Sequence, residues 1–204
     1  MINIEIDNLI GNLEKLTSIY GEGGTGKTTL CLLAAINHAI NNKKVIFLDS
    51  ENNFSTERFN QLLNKRNNEC IKNILILKIK NFNLQHSQIK SLEGIKNISL
   101  IIIDSLTHYY RRLHSREPEI AKAMLARQLK ILSNIAQTGI PIIVTSQVYS
   151  DFNNNINPLG REILSKFSSK IIKLEKDPRK LILEKPDKKE SKFEIINEGI
   201  RITL

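Results

Sequence analysis

The residues Gly21-Glu22-Gly23-Gly24-Thr25-Gly26-Lys27-Thr28-Thr29 carry the densest chemistry in the chain. Glycines at this spacing let backbone N–H groups turn toward a polyphosphate, and a helix starting at the lysine points its positive end at the same anion. Lys27 is then placed to reach the outer phosphates of a nucleotide, and the Thr28 hydroxyl to ligate Mg²⁺. With an apolar strand before it and a helix after it, the run is a P-loop, and it predicts ATP and Mg²⁺ as ligands. Glu22 stands where such loops usually carry an uncharged residue. Its carboxylate is expected to turn away from the phosphates.

A P-loop needs an acid at the end of a neighbouring buried strand to hold the metal, and Asp104 after Leu100-Ile101-Ile102-Ile103 supplies it. The next residue is Ser105, so the water-activating glutamate that several ATPase classes place there must come from elsewhere. Glu51, two residues beyond the apolar run that ends at Asp49, is the candidate base, with Asp49 as the alternative. A third apolar run ends in Thr145-Ser146-Gln147, and the Gln147 amide is a candidate sensor of the γ-phosphate.

These residues require a parallel sheet that delivers strand ends to one edge. Strands are predicted over residues 17–20, 45–48, 74–77, 100–103 and 141–144, and helices over 27–41, 55–66 and 119–137. A further helix is predicted through Leu84, Ile89, Leu92 and Ile95. Uninterrupted apolar runs between helices indicate strands covered on both faces. Beyond Ser165 the pattern changes to short strands over 170–174, 180–183, 193–196 and 199–203, read as an antiparallel extension of the sheet. The expected fold class is α/β, a P-loop core in one domain spanning residues 1–204.

Composition excludes several alternatives. No apolar run approaches the roughly 20 residues of a membrane span. Glu5, Asp7 and Glu14 are foreign to a signal peptide. Cys31 and Cys70 form no CxxC and lack nearby histidines, which argues against a disulfide scaffold or zinc site and suits a reducing cytoplasm. The net charge is +9, concentrated in two stretches. Residues 111–130 hold six basic side chains against two acidic, and residues 161–192 hold eleven against six. Such stretches suit phosphate neutralisation. His38, His86, His108 and His114 lack ligand spacing and read as ordinary polar or core residues.

Four segments together resemble the archaeal RadB proteins, core-only relatives of RadA and the RecA-type recombinases. They are GEGGTGKTTL, the stretch FLDSENNFSTER from Phe47 to Arg58, LIIIDSLTHYYR from Leu100 to Arg111, and IVTSQV followed by Pro158-Leu159-Gly160-Arg161. The resemblance spans nearly the whole chain and implies a RecA-like core. It implies ATP and Mg²⁺ at Lys27, Thr28 and Asp104, with Glu51 orienting water and Gln147 relaying nucleotide state to a DNA-binding loop between about Tyr149 and Gly160. Arg58 lies where the family sets an arginine against adenine. The first DNA-binding loop and its flanks would hold Tyr110, Arg111, Arg112, Arg116 and Arg127, and the second Phe152, Asn154 and Arg161. Partners implied are DNA, single-stranded by expectation, and a RadA-type recombinase, in a cytoplasmic, nucleoid-associated setting.

The chain also departs from the full-length recombinases. The P-loop begins at residue 21, which leaves no room for an amino-terminal helical DNA-binding domain, and none of the seven phenylalanines is followed by alanine three positions later. A monomer or small oligomer is therefore expected, not a filament built on a Phe-x-x-Ala contact. The expected function is an ATP-binding accessory protein of recombination with weak hydrolysis. An adaptor docking on a recombinase, or a signalling ATPase of the KaiC-like branch, are the alternatives.

Overall fold

The computed structural model describes residues 15–64, 68–151 and 155–203. Strand β1 (Leu16–Gly21) leads into α1 (Lys27–Ile40), β2 (Val45–Asp49) into α2 (Thr56–Leu63), and β3 (Ile74–Lys78) into α3 (Phe82–Ser91). β4 (Leu100–Asp104) is followed by α4 (His108–His114) and α5 (Pro118–Gln137), then β5 (Ile142–Ser146). A hairpin of β6 (Val148–Ser150) and β7 (Ile156–Pro158) precedes α6 (Arg161–Phe167). The strands β8 (Lys170–Lys176), β9 (Arg179–Lys185), β10 (Lys189–Ile196) and β11 (Gly199–Thr203) follow.

Among the described residues, one sheet holds nine strands in the order β11-β10-β9-β8-β1-β5-β4-β2-β3. Its centre reads as uninterrupted apolar runs because both faces are covered. On β4, Leu100 and Ile102 face a core built with α1 and α2, while Ile101 and Ile103 face a second core built with α3, α5 and α6. The fold is RecA-like α/β, with a mostly parallel sheet and antiparallel closing strands.

Three differences from the sequence reading have physical causes. β8 runs parallel to β1, so the antiparallel extension begins only at β9. Helix α6 carries the chain back across the sheet, and a strand reached through such a crossover enters in the same direction. Helix α2 stops at Leu63 because Asn64 turns left-handed at φ 47°. α4, α6 and the β6–β7 hairpin, each too short for a hydrophobic period, were not foreseen.

Candidate nucleotide site

Four strand ends converge at the carboxyl edge of the sheet, where open α/β folds bind ligands. β1 delivers the glycine-rich loop, β2 the loop with Glu51, β4 Asp104, and β5 the run Thr145 to Gln147. They enclose a cleft of about 260 Å³ lined by Gly23, Gly24, Gly26, Lys27, Thr28, Thr29, Glu51, Asn53, Asp104 and Ile195.

Gly26 caps α1 at φ 103°, and a Cβ there would lie 2.8 Å from Ile195 Cδ1. No side chain caps this helix and its first turn holds no acid, so its leading amides stay available to an anion. The buried Thr25 hydroxyl donates to the Glu22 carbonyl at 2.9 Å and braces the loop that leaves β1 at Gly21. Lys27 Nζ donates to the carbonyls of Gly21 at 2.7 Å and Glu22 at 2.8 Å. Burial lowers the pKa of Lys27, opposed by Asp104, Glu51 and Glu22. The Glu22 carboxylate lies 3.5 Å from Lys176 Nζ and does not line the cleft, which meets the expectation that it turns away.

Asp104 is 3% exposed. Its Oδ2 accepts from the Thr28 hydroxyl at 2.6 Å, and its Oδ1 from the Thr145 hydroxyl. Burial pushes its pKa up, while those two hydroxyls and Lys27 pull it down. Ser105 is buried, so nothing at that position reaches the cleft as a base.

Glu51 is held from two sides. Gln147 Nε2 donates to its Oε1 at 2.9 Å, and Asn53 Nδ2 to its Oε2 at 3.0 Å. Asp49 shapes the loop that presents it, accepting from Asn53 N and Phe54 N, each at 3.0 Å. Asp49 is 1% exposed and does not line the cleft, whereas Glu51 does, so Asp49 acts as a loop support and Glu51 is the carboxylate that can reach a water there. The main chain of Gln147 also closes the β6–β7 hairpin. Its N–H donates to Thr107 Oγ1 at 2.8 Å and its carbonyl accepts from Leu159 N at 2.9 Å. His108, read from sequence as an ordinary polar residue, stands here too, with Nδ1 3.5 Å from Gln147 Nε2 and 3.8 Å from Glu51 Oε1. Only its place four residues after Asp104 hinted at this.

Arg58 lies outside the cleft lining. Its guanidinium ties α2 to the β10–β11 turn, donating to Ile196 O at 2.9 Å and to Asn197 O and Gln61 Oε1 at 3.1 Å. Ile195, whose side chain packs over Gly26, had no signal in the sequence beyond its strand.

The candidate DNA-binding residues are split. Arg111, Arg112, Arg116 and Arg127 are exposed on α4, α5 and the turn between them. Tyr110 is not available for stacking, since it is 3% exposed and packs in the core against His114 and near Gly160. The residue after Gly160, Arg161, is exposed, and its Nη1 donates to Asn157 Oδ1. Phe152 and Asn154 lie outside the described residues. Between the two regions a cleft of about 460 Å³ is bordered by His114, Lys122, Tyr149, Leu159 and Arg161. Tyr149 is 46% exposed and takes the place at the surface that the sequence gave to Tyr110.

Mg²⁺ and a nucleotide fit these residues. Thr28 and Asp104 set a hydroxyl and a carboxylate side by side, the hard oxygen donors that Mg²⁺ prefers, while uncapped amides and Lys27 match a polyphosphate. The Rad51 family model matches residues 4–202. Among proteins described as DNA repair and recombination protein RadB, that of Methanococcus maripaludis is 38% identical over 206 residues, 95% of each chain. The chain belongs to the RadB branch of the Rad51 family. The RadB of Methanocaldococcus jannaschii is 36% identical over 95% of this chain and 97% of its own. A crystal structure of the RadB recombinase superposes with a TM-score of 0.78 at 30% identity, covering 96% of this chain and 94% of that one. Rad51-family proteins of this fold typically work with ATP and Mg²⁺.

Proposed function

We propose that this chain is an ATP-binding DNA repair and recombination protein that holds single-stranded DNA on the face shared by α4, α5 and the β6–β7 hairpin, and hydrolyses ATP weakly. The observation that carries this reading is Gln147, whose side chain holds Glu51 while its main chain closes the hairpin. One residue thus links the phosphate end of the cleft to the proposed DNA surface.

Lys27 and the leading amides of α1 bind the phosphates, and Thr28 with Asp104 holds Mg²⁺. The metal, when bound, neutralises charge on the β- and γ-phosphates. Glu51 orients water and takes its proton, with Asn53 and Gln147 fixing the carboxylate. The face of Arg58, whose donors are engaged by the β10–β11 turn, is the part offered to adenine. Among the described residues, Lys27 is the cation lining the cleft, and Arg179 Nη1 donates to the carbonyl of Gly24 in the same loop at 2.9 Å. Arg111, Arg112, Arg116 and Arg127 supply phosphate contacts and Tyr149 a stacking surface. A RadA-type recombinase is the proposed protein partner, in the cytoplasm. Among the described residues no helix is long and apolar enough to cross a membrane.

Fluorescence anisotropy of a labelled single-stranded oligonucleotide, without nucleotide, with ADP and with a non-hydrolysable ATP analogue, tests the reading across a salt series. Salt-sensitive binding that tightens with the analogue, and loses that dependence in Lys27→Ala, is expected. Absence of binding in every state sinks the DNA-acting reading and leaves a nucleotide-bound adaptor.

A further inference from the structure

The amide of Gln147 has two N–H groups, and one meets Glu51 Oε1 at 2.9 Å. A carboxylate only accepts hydrogen bonds, so the nitrogen end of the amide must face it. His108 Nδ1 lies 3.5 Å from the same nitrogen, within reach of the remaining hydrogen. An imidazole carrying its proton on Nε2 accepts there, and two acceptors around one NH₂ fix the amide against turning over. The ring is itself held. His108 opens α4 and meets the Tyr109 ring edge-to-face at 4.7 Å between centroids, and the Tyr109 hydroxyl donates to Ile79 O at 2.9 Å.

We propose that His108 is a positioning residue for hydrolysis, accepting a hydrogen bond from Gln147 and thereby keeping the amide turned to hold Glu51. The inference rests on Glu51 as the base and goes beyond it by naming what orients its holder. Without an acceptor at His108 the Gln147 amide turns over part of the time and presents its oxygen to Glu51. The carboxylate then loses a donor and swings from its place. ATP binding is untouched, since neither His108 nor Gln147 lines the phosphate cleft.

The test is single-turnover hydrolysis of labelled ATP with the full chain in excess, alongside affinity for a non-hydrolysable analogue. His108→Leu keeps a bulky side chain and removes the acceptor. His108→Asn returns an acceptor, because asparagine Oδ1 falls where the histidine Nδ1 lies. His108→Leu is expected to slow hydrolysis about tenfold, the effect of losing one hydrogen bond at a charged site, with analogue affinity within about twofold. His108→Asn is expected to restore most of the rate, and His108→Leu to add nothing in a Gln147→Leu background. Wild-type hydrolysis by His108→Leu, or equal slowing by both His108 variants, overturns the inference. Glu51→Gln, measured beside them, separates the two readings. If it is slow while His108→Leu is not, only the role of His108 falls; if it hydrolyses at the wild-type rate, the base assignment falls and this inference with it.

Discussion

Replacing Thr145 by valine removes one hydroxyl and keeps the volume of a fully buried side chain. That hydroxyl donates to Asp104 Oδ1, and with Thr28 it accounts for the donors drawing the pKa of this buried carboxylate back down. A hydrogen bond to a charged group contributes roughly 1.5–3 kcal/mol, so Thr145→Val should destabilise the metal-free protein by about 2 kcal/mol. For a domain of this size that corresponds to a fall of about 4–8 °C in Tm. Burial raises the Asp104 pKa above its unfolded value, so the group favours folding at low pH and loses that contribution as pH rises through its folded pKa. The lost hydroxyl served the charged form. The cost of Thr145→Val is therefore largest above that folded pKa and fades as the pH is lowered through it into the ordinary carboxylate range. Calorimetry across that interval measures it. In a double-mutant cycle with Asp104→Asn, the cost of Thr145→Val should fall to about 1 kcal/mol, that of a neutral pair. A Tm unchanged within a degree at neutral pH, or the same cost with and without the Asp104 charge, would refute the claim that this hydroxyl stabilises the metal-site carboxylate.

Glu51→Gln should slow hydrolysis about 10²-fold or more with ATP affinity within about twofold, read by single-turnover assays beside analogue titration. Asp49→Ala removes both acceptors that shape the Glu51 loop and should lower hydrolysis nearly as far, with Asp49→Asn partly restoring it through one accepting oxygen; an unaffected Asp49→Ala would mean that the loop holds without it. Gly160→Ala places a Cβ 2.5 Å from Leu125 Cδ2 at φ +72°, where an L side chain is disfavoured. It should lower stability by about 1–3 kcal/mol by denaturant titration, and weaken oligonucleotide binding at the hairpin exit.

The parts of the site legible in the sequence are those where chemistry restricts residue type. Gly26, Lys27 and Thr28 have few substitutes beneath a polyphosphate, and Asp104 closes an apolar run that can only be a strand covered on both faces. Glu51 and Gln147 could be proposed because each follows such a run, and the structure brings them together at 2.9 Å. What stayed hidden depends on tertiary neighbours. Tyr110 and Tyr149 look alike in sequence, yet the packing of α4 against α5, with Tyr110 close to Gly160, buries the first and leaves the second at the surface. The direction of β8 could not be read from alternating side chains, since a strand covered on one face alternates whichever way it runs. Beyond its place four residues after Asp104, nothing near His108 in the chain announces Gln147, and nothing near Asp49 shows that both its oxygens are engaged.

The position of β1 has a consequence for how the protein comes into being. Its sheet neighbours are β5 and β8, and its first paired residue, Leu16, lies opposite Ile142. During synthesis the glycine-rich loop leaves the ribosome early, on a strand whose partners are still untranslated. Ile195, which walls the cleft beside Gly26, is made later again. Contacts so distant along the chain close slowly, because loop entropy must be overcome before they form. On the proposed reading, nucleotide capture waits for those strands and is a late event in the life of each new molecule. A chain arrested before β8 would display the loop while β8 and Ile195, its neighbours in the folded protein, were still missing.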